Sequence, residues 1–79
     1  MIIIKEFTVC DYYSGETISL PVGRIIDRLQ TIKDLKTGED LVQIHDAVLY
    51  KTTTFRYKDL NISDYISYEH KMLNSEEMR

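Results

Sequence analysis

Residues 21–39 read PVGRIIDRLQTIKDLKTGE, and the fold class depends on them because they fit either a helix or a strand. Its apolar residues recur at spacings of three and four, which places them on one face of a helix. Ser19 can cap such a helix, Pro21 suits its first turn, and Gly38 can end it. The spacing predicts a central helix over 21–36, with an apolar stripe formed by Val22, Ile25, Ile26, Leu29, Ile32 and Leu35.

A repeated segment supports the alternative. Residues 34–39 (DLKTGE) repeat the pattern of residues 11–16 (DYYSGE): an aspartate, two variable residues, a hydroxyl residue, a glycine and a glutamate. Such segments often close β-hairpins, because glycine readily adopts a positive φ. If both segments do so, residues 24–34 form a strand and the fold is a small β-barrel. The helix is preferred, because apolar and polar residues alternate poorly over 24–35.

Most of the remaining chain has the composition of strands. Residues 2–9 are rich in β-branched and aromatic side chains, and residues 17–20 alternate between apolar and polar. The two predict an N-terminal hairpin closed by residues 11–16. Residues 47–57 predict a long or bent strand that can fold back near 51–53, and residues 41–44 fit either a helical turn or a strand.

The C-terminal part predicts a second helix. Asn61 or Ser63 can cap it, and residues 75–79 are expected to fray. The chain is therefore expected to form one α+β domain over 1–79: an N-terminal hairpin, a central helix, one or two further strands and a C-terminal helix. The alternative is the small β-barrel followed by the same helix, whose inner face would hold Ile62, Tyr65, Ile66, Glu69, Met72 and Leu73.

Composition and charge exclude several classes of protein. The net charge is −3 and is spread evenly, whereas a nucleic-acid binder needs clustered lysine and arginine, so nucleic acid is not the expected partner. No apolar run approaches the length of a membrane span. With Cys10 as the single cysteine, no intramolecular disulfide can form, which fits the cytoplasm.

Motifs for catalysis are lacking in the sequence. His45 and His70 are not spaced with Cys10 in a way that predicts a metal site. Asp11 beside Cys10 would raise the pKa of the thiol, the reverse of what a nucleophile needs. The three glycines stand apart, so no glycine-rich loop can cradle a phosphate. The chain is expected to be no enzyme and to hold no cofactor.

The six tyrosines are the residues that indicate a function. Exposed tyrosine is enriched where one protein contacts another, because it offers a broad surface with few rotatable bonds. Tyr65 is expected in the core, since it lies on the inner face of the predicted C-terminal helix. The residues expected to contact a partner lie at a turn tip, on a strand and on the outer face of that helix: Tyr12, Tyr13, Arg56, Tyr57, Tyr68 and Lys71.

Together these features predict a small cytoplasmic interaction protein that binds another protein and regulates or inhibits it. A homodimer would add stability to so small a core. Ten isoleucines against one alanine indicate an A/T-rich genome, which suits a phage or mobile-element product acting on a host enzyme. The alternative is a binder of a small ligand or nucleic acid by tyrosine stacking, for which Arg56-Tyr57-Lys58 is the candidate segment.

Overall fold

The computed structural model describes residues 1–68, and these residues form an all-β fold. Their only helical elements are two short 3-10 turns, Tyr57–Asp59 and Ile62–Asp64. Seven strands account for the rest of the regular structure: β1 (Ile2–Ile3), β2 (Phe7–Cys10), β3 (Thr17–Leu20), β4 (Ile26–Lys33), β5 (Asp40–Asp46), β6 (Lys51–Arg56) and β7 (Ile66–Ser67).

The central helix predicted over 21–36 is wrong, because this segment contains the long strand β4. β4 pairs antiparallel with β5, which pairs with β6 to complete a three-stranded sheet. Two residues of the predicted helical stripe end up in contact with water: Val22 is 62% exposed and Leu35 is 92% exposed. The physical reason is the turn at 34–39, which folds β4 back onto the apolar strand β5.

The N-terminal hairpin is present, and it is shorter than predicted. β2 pairs with β3 from Phe7↔Leu20 to Cys10↔Thr17, and residues 11–16 close the turn. β1 is a separate strand that pairs with β7. The strand over 24–34 that the barrel alternative requires is thus found as β4. The strands described form three separate antiparallel sheets rather than one closed barrel.

The C-terminal helix is also wrong as far as the described residues reach. Residues 62–64 form a 3-10 turn, and β7 follows almost at once. Ile66 is buried opposite Ile3 in the pairing of β7 with β1, which gives it an extended backbone and an apolar contact together. The positions predicted on this helix beyond Tyr68, and the fraying expected at 75–79, lie outside the described residues.

The predicted strand over 47–57 divides into two parts. Residues 47–50 form the turn between β5 and β6, and the chain leaves β6 at Arg56. The fold-back therefore occurs before Lys51 and not near 51–53.

One core holds the sheets together, with apolar side chains from every strand: Ile3, Phe7, Val9, Leu20, Ile26, Val42, Ile44, Phe55 and Ile66.

Candidate protein-binding surface

Three hairpin turns in this fold share one hydrogen-bonding pattern: residues 11–16, 34–39 and 46–51. In each, the carbonyl of the leading aspartate accepts a hydrogen bond from the amide four residues on: Gly15 to Asp11 at 2.9 Å, Gly38 to Asp34 at 2.7 Å and Tyr50 to Asp46 at 2.9 Å. The aspartate carboxylate also accepts amide hydrogen bonds from inside its own turn. The third turn is thus a structural copy of the two that the sequence repeat revealed.

The fifth residue of each turn has a positive φ, and in the third turn it is a tyrosine. Gly15 and Gly38 both have a φ of 78°, a conformation that costs glycine nothing, and Tyr50 has a φ of 56°. A residue with a Cβ pays roughly 1–2 kcal/mol in this conformation. Among residues 1–68, Tyr50 is the one non-glycine residue with a positive φ. Glycine at this position would adopt the positive φ of the turn without strain.

The tip of the third turn is apolar and exposed. Val48, Leu49 and Tyr50, hereafter the apolar loop, are 61%, 54% and 80% exposed. At the positions of Leu49 and Tyr50 the other two turns carry a hydroxyl residue and a glycine. Leu49 and Tyr50 therefore replace polar or small residues at the same turn positions, and neither belongs to the core.

Asp46 holds the apolar loop in place. Its carboxylate accepts hydrogen bonds from the amides of Val48 at 2.8 Å and Leu49 at 2.9 Å, and it pairs with the Arg24 guanidinium. Burial alone would raise the pKa of Asp46, but the amide of Leu49, the Arg24 guanidinium and the amide of Val48 outweigh burial and lower the pKa. A buried anchor of this kind gives the exposed tip a fixed shape.

Asp11 plays the same part in the first turn. Burial again opposes its ionisation, and hydrogen bonds from the amides of Ser14, Thr54 and Tyr13 outweigh burial and lower its pKa. The Thr54 amide belongs to β6, at 3.1 Å from the Asp11 carboxylate. This contact fastens the β2–β3 turn to the edge of the three-stranded sheet.

Acid should destabilise the fold through these two carboxylates. Because the pKa of each is lower in the folded state than the ordinary value of about 3.9, each stabilises the fold above that pH. The contribution is lost as the pH falls below about 4 through the folded-state pKa. Urea melts at pH 7 and pH 3 should show a lower midpoint at pH 3, and Asp46→Asn should reduce the difference. An unchanged pH dependence in Asp46→Asn would contradict this role.

Tyr12, predicted as an exposed contact residue, holds two turns together. Its hydroxyl donates a 2.7 Å hydrogen bond to the Asp34 carboxylate, which lowers the pKa of Asp34. The Arg56 guanidinium lies 5.3 Å from the centre of the Tyr12 ring, on its face. Tyr12, which was predicted only as a partner contact, therefore also has a structural role. Tyr13 contacts the Tyr12 ring edge-on and is 68% exposed.

The structure brings four of the six predicted contact residues to one end of the sheet, hereafter the tyrosine cluster: Tyr12, Tyr13, Arg56 and Tyr57. Tyr12, Tyr13 and Arg56 are in contact as described, and Tyr57 directly follows Arg56 and is exposed. Tyr68 is exposed directly after β7, and β7 pairs with β1 near the start of β4. The tyrosine cluster lies beside the turn at the end of β4, so Tyr68 is not part of it. Lys71 lies outside the described residues. Whether these residues contact a partner stays a prediction.

Other chemistry is sparse in residues 1–68. His45 and Asp27 form a pair at 2.7 Å, which lowers the pKa of Asp27, and both lie on the polar face of the sheet. No group of three metal-ligating side chains occurs in this range. Nor does any helix within it have the length and apolar character needed to cross a bilayer.

Comparison of the chain with protein-family models, curated protein sequences and solved structures finds no match. The candidate surface therefore rests on the residues themselves. The apolar loop was not predicted from the sequence, although the sequence contains a signal for it. Residues 46–51 (DAVLYK) begin with the same aspartate and have the same length as the two repeated turns, but they lack the glycine.

Proposed function

We propose that this protein binds another protein and that the apolar loop inserts into a pocket of that partner. The observation that carries the proposal is Tyr50, a large exposed side chain kept at a φ of 56° where two equivalent turns use glycine. Glycine would adopt this φ without strain, and backbone strain of this kind clusters at functional positions. Tyrosine is also among the residues that dominate binding energy at protein interfaces.

The shape and charge of the apolar loop favour a folded protein as its partner. The hydrogen bonds to Asp46 hold the loop in one conformation, so little conformational entropy is lost on binding. The loop projects from the surface, which fits a concave apolar pocket. Lys51, exposed directly after the loop, would lie at the rim of that pocket, where an acidic group would complement it.

The proposed mode of action, location and origin of the protein are consistent with binding to another protein. A protein of this size without a recognisable catalytic motif would act by occupying a surface of its partner and thereby blocking or regulating it. The cytoplasm is the proposed location, in keeping with the single cysteine. The A/T-rich residue usage supports a phage or mobile-element origin, with a host enzyme as the partner.

Nucleic-acid binding through Arg56-Tyr57-Lys58 has weaker support. Glu39 lies 3.6 Å from the Arg56 guanidinium and 3.9 Å from the Lys58 ammonium, so one carboxylate partly neutralises both cations. The Arg56 guanidinium also lies over the Tyr12 ring instead of facing a ligand. Tyr57 is exposed and could stack on a base, but the neighbouring cations that would contact a phosphate backbone are already partly neutralised.

Binding to oligonucleotides should accordingly be weak and sensitive to salt. Fluorescence anisotropy with labelled single- and double-stranded DNA and RNA should give no saturable binding below about 100 μM at 150 mM salt. Glu39→Gln, which frees Arg56 and Lys58, should strengthen binding at low salt. Saturable binding of the unaltered protein at 150 mM salt would instead place Arg56, Tyr57 and Lys58 at the functional site.

The proposed function can be tested by capture followed by a measured affinity. Immobilised protein and its Tyr50→Gly variant are exposed to the same cell lysate, and proteins retained by the first but not the second are identified by mass spectrometry. Each candidate is then purified and its affinity measured by calorimetry. Tyr13→Ser, at the other end of the sheet, is the matched control. A partner retained equally by Tyr50→Gly and lost by Tyr13→Ser would move the binding surface to the tyrosine cluster.

A further inference from the structure

The outer edge of β4 carries backbone groups without partners among the described residues. The Asp34 amide donates a hydrogen bond to the Glu39 carbonyl across the turn. Because hydrogen-bonded pairs alternate along an antiparallel ladder, the amide and carbonyl groups that point towards β5 are those of Arg28, Gln30 and Ile32. Leu29, Thr31 and Lys33 then direct their amide and carbonyl groups away from the sheet, and no backbone bond from them occurs within residues 1–68. The same alternation places the Thr54 groups on the outside of β6, where they bond to Asp11 and Tyr12.

This open edge has defined limits. At its start, β1 lies alongside residues 24–26: Ile3 donates to the Arg24 carbonyl and Ile26 donates to the Met1 carbonyl. A bulge follows between Ile26 and Arg28. At its other end, the turn begins at Asp34. The free edge therefore runs from residue 28 to residue 34, and its midpoint is Thr31.

We propose that a second copy of this chain pairs with this edge, β4 against β4, antiparallel and with the two-fold axis at Thr31. Only this register pairs the three free residues with one another: Leu29 with Lys33 of the second copy, Thr31 with Thr31, and Lys33 with Leu29. Each facing pair forms two backbone hydrogen bonds, so every free group on the edge is satisfied. Two three-stranded sheets then become one continuous sheet of six strands.

Charge complementarity supports a second copy as the occupant. In this register Arg28 faces Asp34 of the second copy, and the two-fold axis repeats the pair. Arg28 is exposed, and the ionisation of Asp34 is favoured by its lowered pKa. Gln30 faces Ile32, so no two like charges are opposed along the edge. The Thr31–Thr31 pair on the axis is a favourable cross-strand pair.

Sedimentation velocity over 10–500 μM tests the proposal with the full chain. The unaltered protein should shift from one to two chains as its concentration rises. Thr31→Pro removes an amide that points out of the sheet, which an edge strand tolerates, and it should weaken dimerisation at least ten-fold. Thr31→Ala, which keeps the amide, should dimerise as the unaltered protein does. A protein that stays monomeric over this range, or dimers unaffected by Thr31→Pro, would overturn the proposal.

Disulfide trapping tests the register and does not depend on how Thr31→Pro folds. In a Cys10→Ser background, Thr31→Cys faces itself across the axis at a separation that a disulfide can span. It should form covalent dimers on mild oxidation much faster than Gln30→Cys, whose neighbour across the axis is Ile32. Equal rates for the two variants, or no cross-linking of Thr31→Cys, would contradict the register centred on Thr31.

Discussion

Replacing Phe55 by alanine should lower the free energy of unfolding by about 3–5 kcal/mol, as expected for a fully buried aromatic side chain. Phe55 lies on β6 with 0% of its surface exposed, and its ring centre is 6.4 Å from that of Phe7 on the β2–β3 hairpin. The ring therefore joins the hairpin to the three-stranded sheet. A small domain rarely has more than several kcal/mol of stability, so this variant should be largely unfolded at 25 °C.

Thr52→Ala on the same strand is the matched control for Phe55. Its side chain is exposed, so the free energy of unfolding should change by less than about 0.5 kcal/mol. Urea unfolding followed by circular dichroism measures both variants. Similar small effects for the two would show that β6 does not face the core as described.

Replacing Tyr50 by glycine should raise stability and weaken partner binding at the same time. Relief of the positive φ should stabilise the folded state by roughly 1–2 kcal/mol. The greater conformational freedom of glycine should stabilise the unfolded chain by roughly 0.4–1 kcal/mol. The free energy of unfolding should therefore rise by about 0.8 kcal/mol, the difference between the midpoints of the two ranges. Removal of the side chain that we propose fills a partner's pocket should cost at least about 2 kcal/mol of binding energy.

Gly38→Ala provides the reverse comparison in an equivalent turn. An added Cβ would meet no atom within 4 Å at Gly38, so the effect should come from the backbone alone. Alanine, unlike glycine, is strained at this positive φ, so the free energy of unfolding should fall by about 0.8 kcal/mol. Binding should be unchanged, because Gly38 lies at the other end of the sheet. Thermal unfolding of both variants checks whether the two shifts have opposite signs.

The turn at 11–16 was predicted correctly from the sequence, whereas a turn at 34–39 was part only of the alternative that was not preferred. Both contain a glycine after a hydroxyl residue, and both close hairpins through the same aspartate contacts. The error came from the segment between them. Its apolar residues fit a helical stripe, and local spacing could not show that β5 would offer an apolar strand on which β4 folds back. Tertiary pairing decided the structure there.

The apolar loop could not be inferred from the spacing of apolar residues. Val48, Leu49 and Tyr50 continue the composition of a strand, and the positive φ of Tyr50 is set by the length of the turn and by Asp46, not by residue type. Tyr12 shows the converse case. From the sequence Tyr12 was predicted only as a partner contact. Its structural contacts could not be inferred there, because Asp34 and Arg56 are 22 and 44 positions distant in the chain.

Tyr50 is proposed to stand at a position that favours glycine because its side chain binds a partner. The most direct test is the dissociation constant of the captured partner for the unaltered protein and for Tyr50→Gly, measured by calorimetry alongside a melting curve of each. We expect a melting temperature that is higher for Tyr50→Gly and an affinity about 30-fold lower. A variant that is more stable and binds its partner equally well would contradict it.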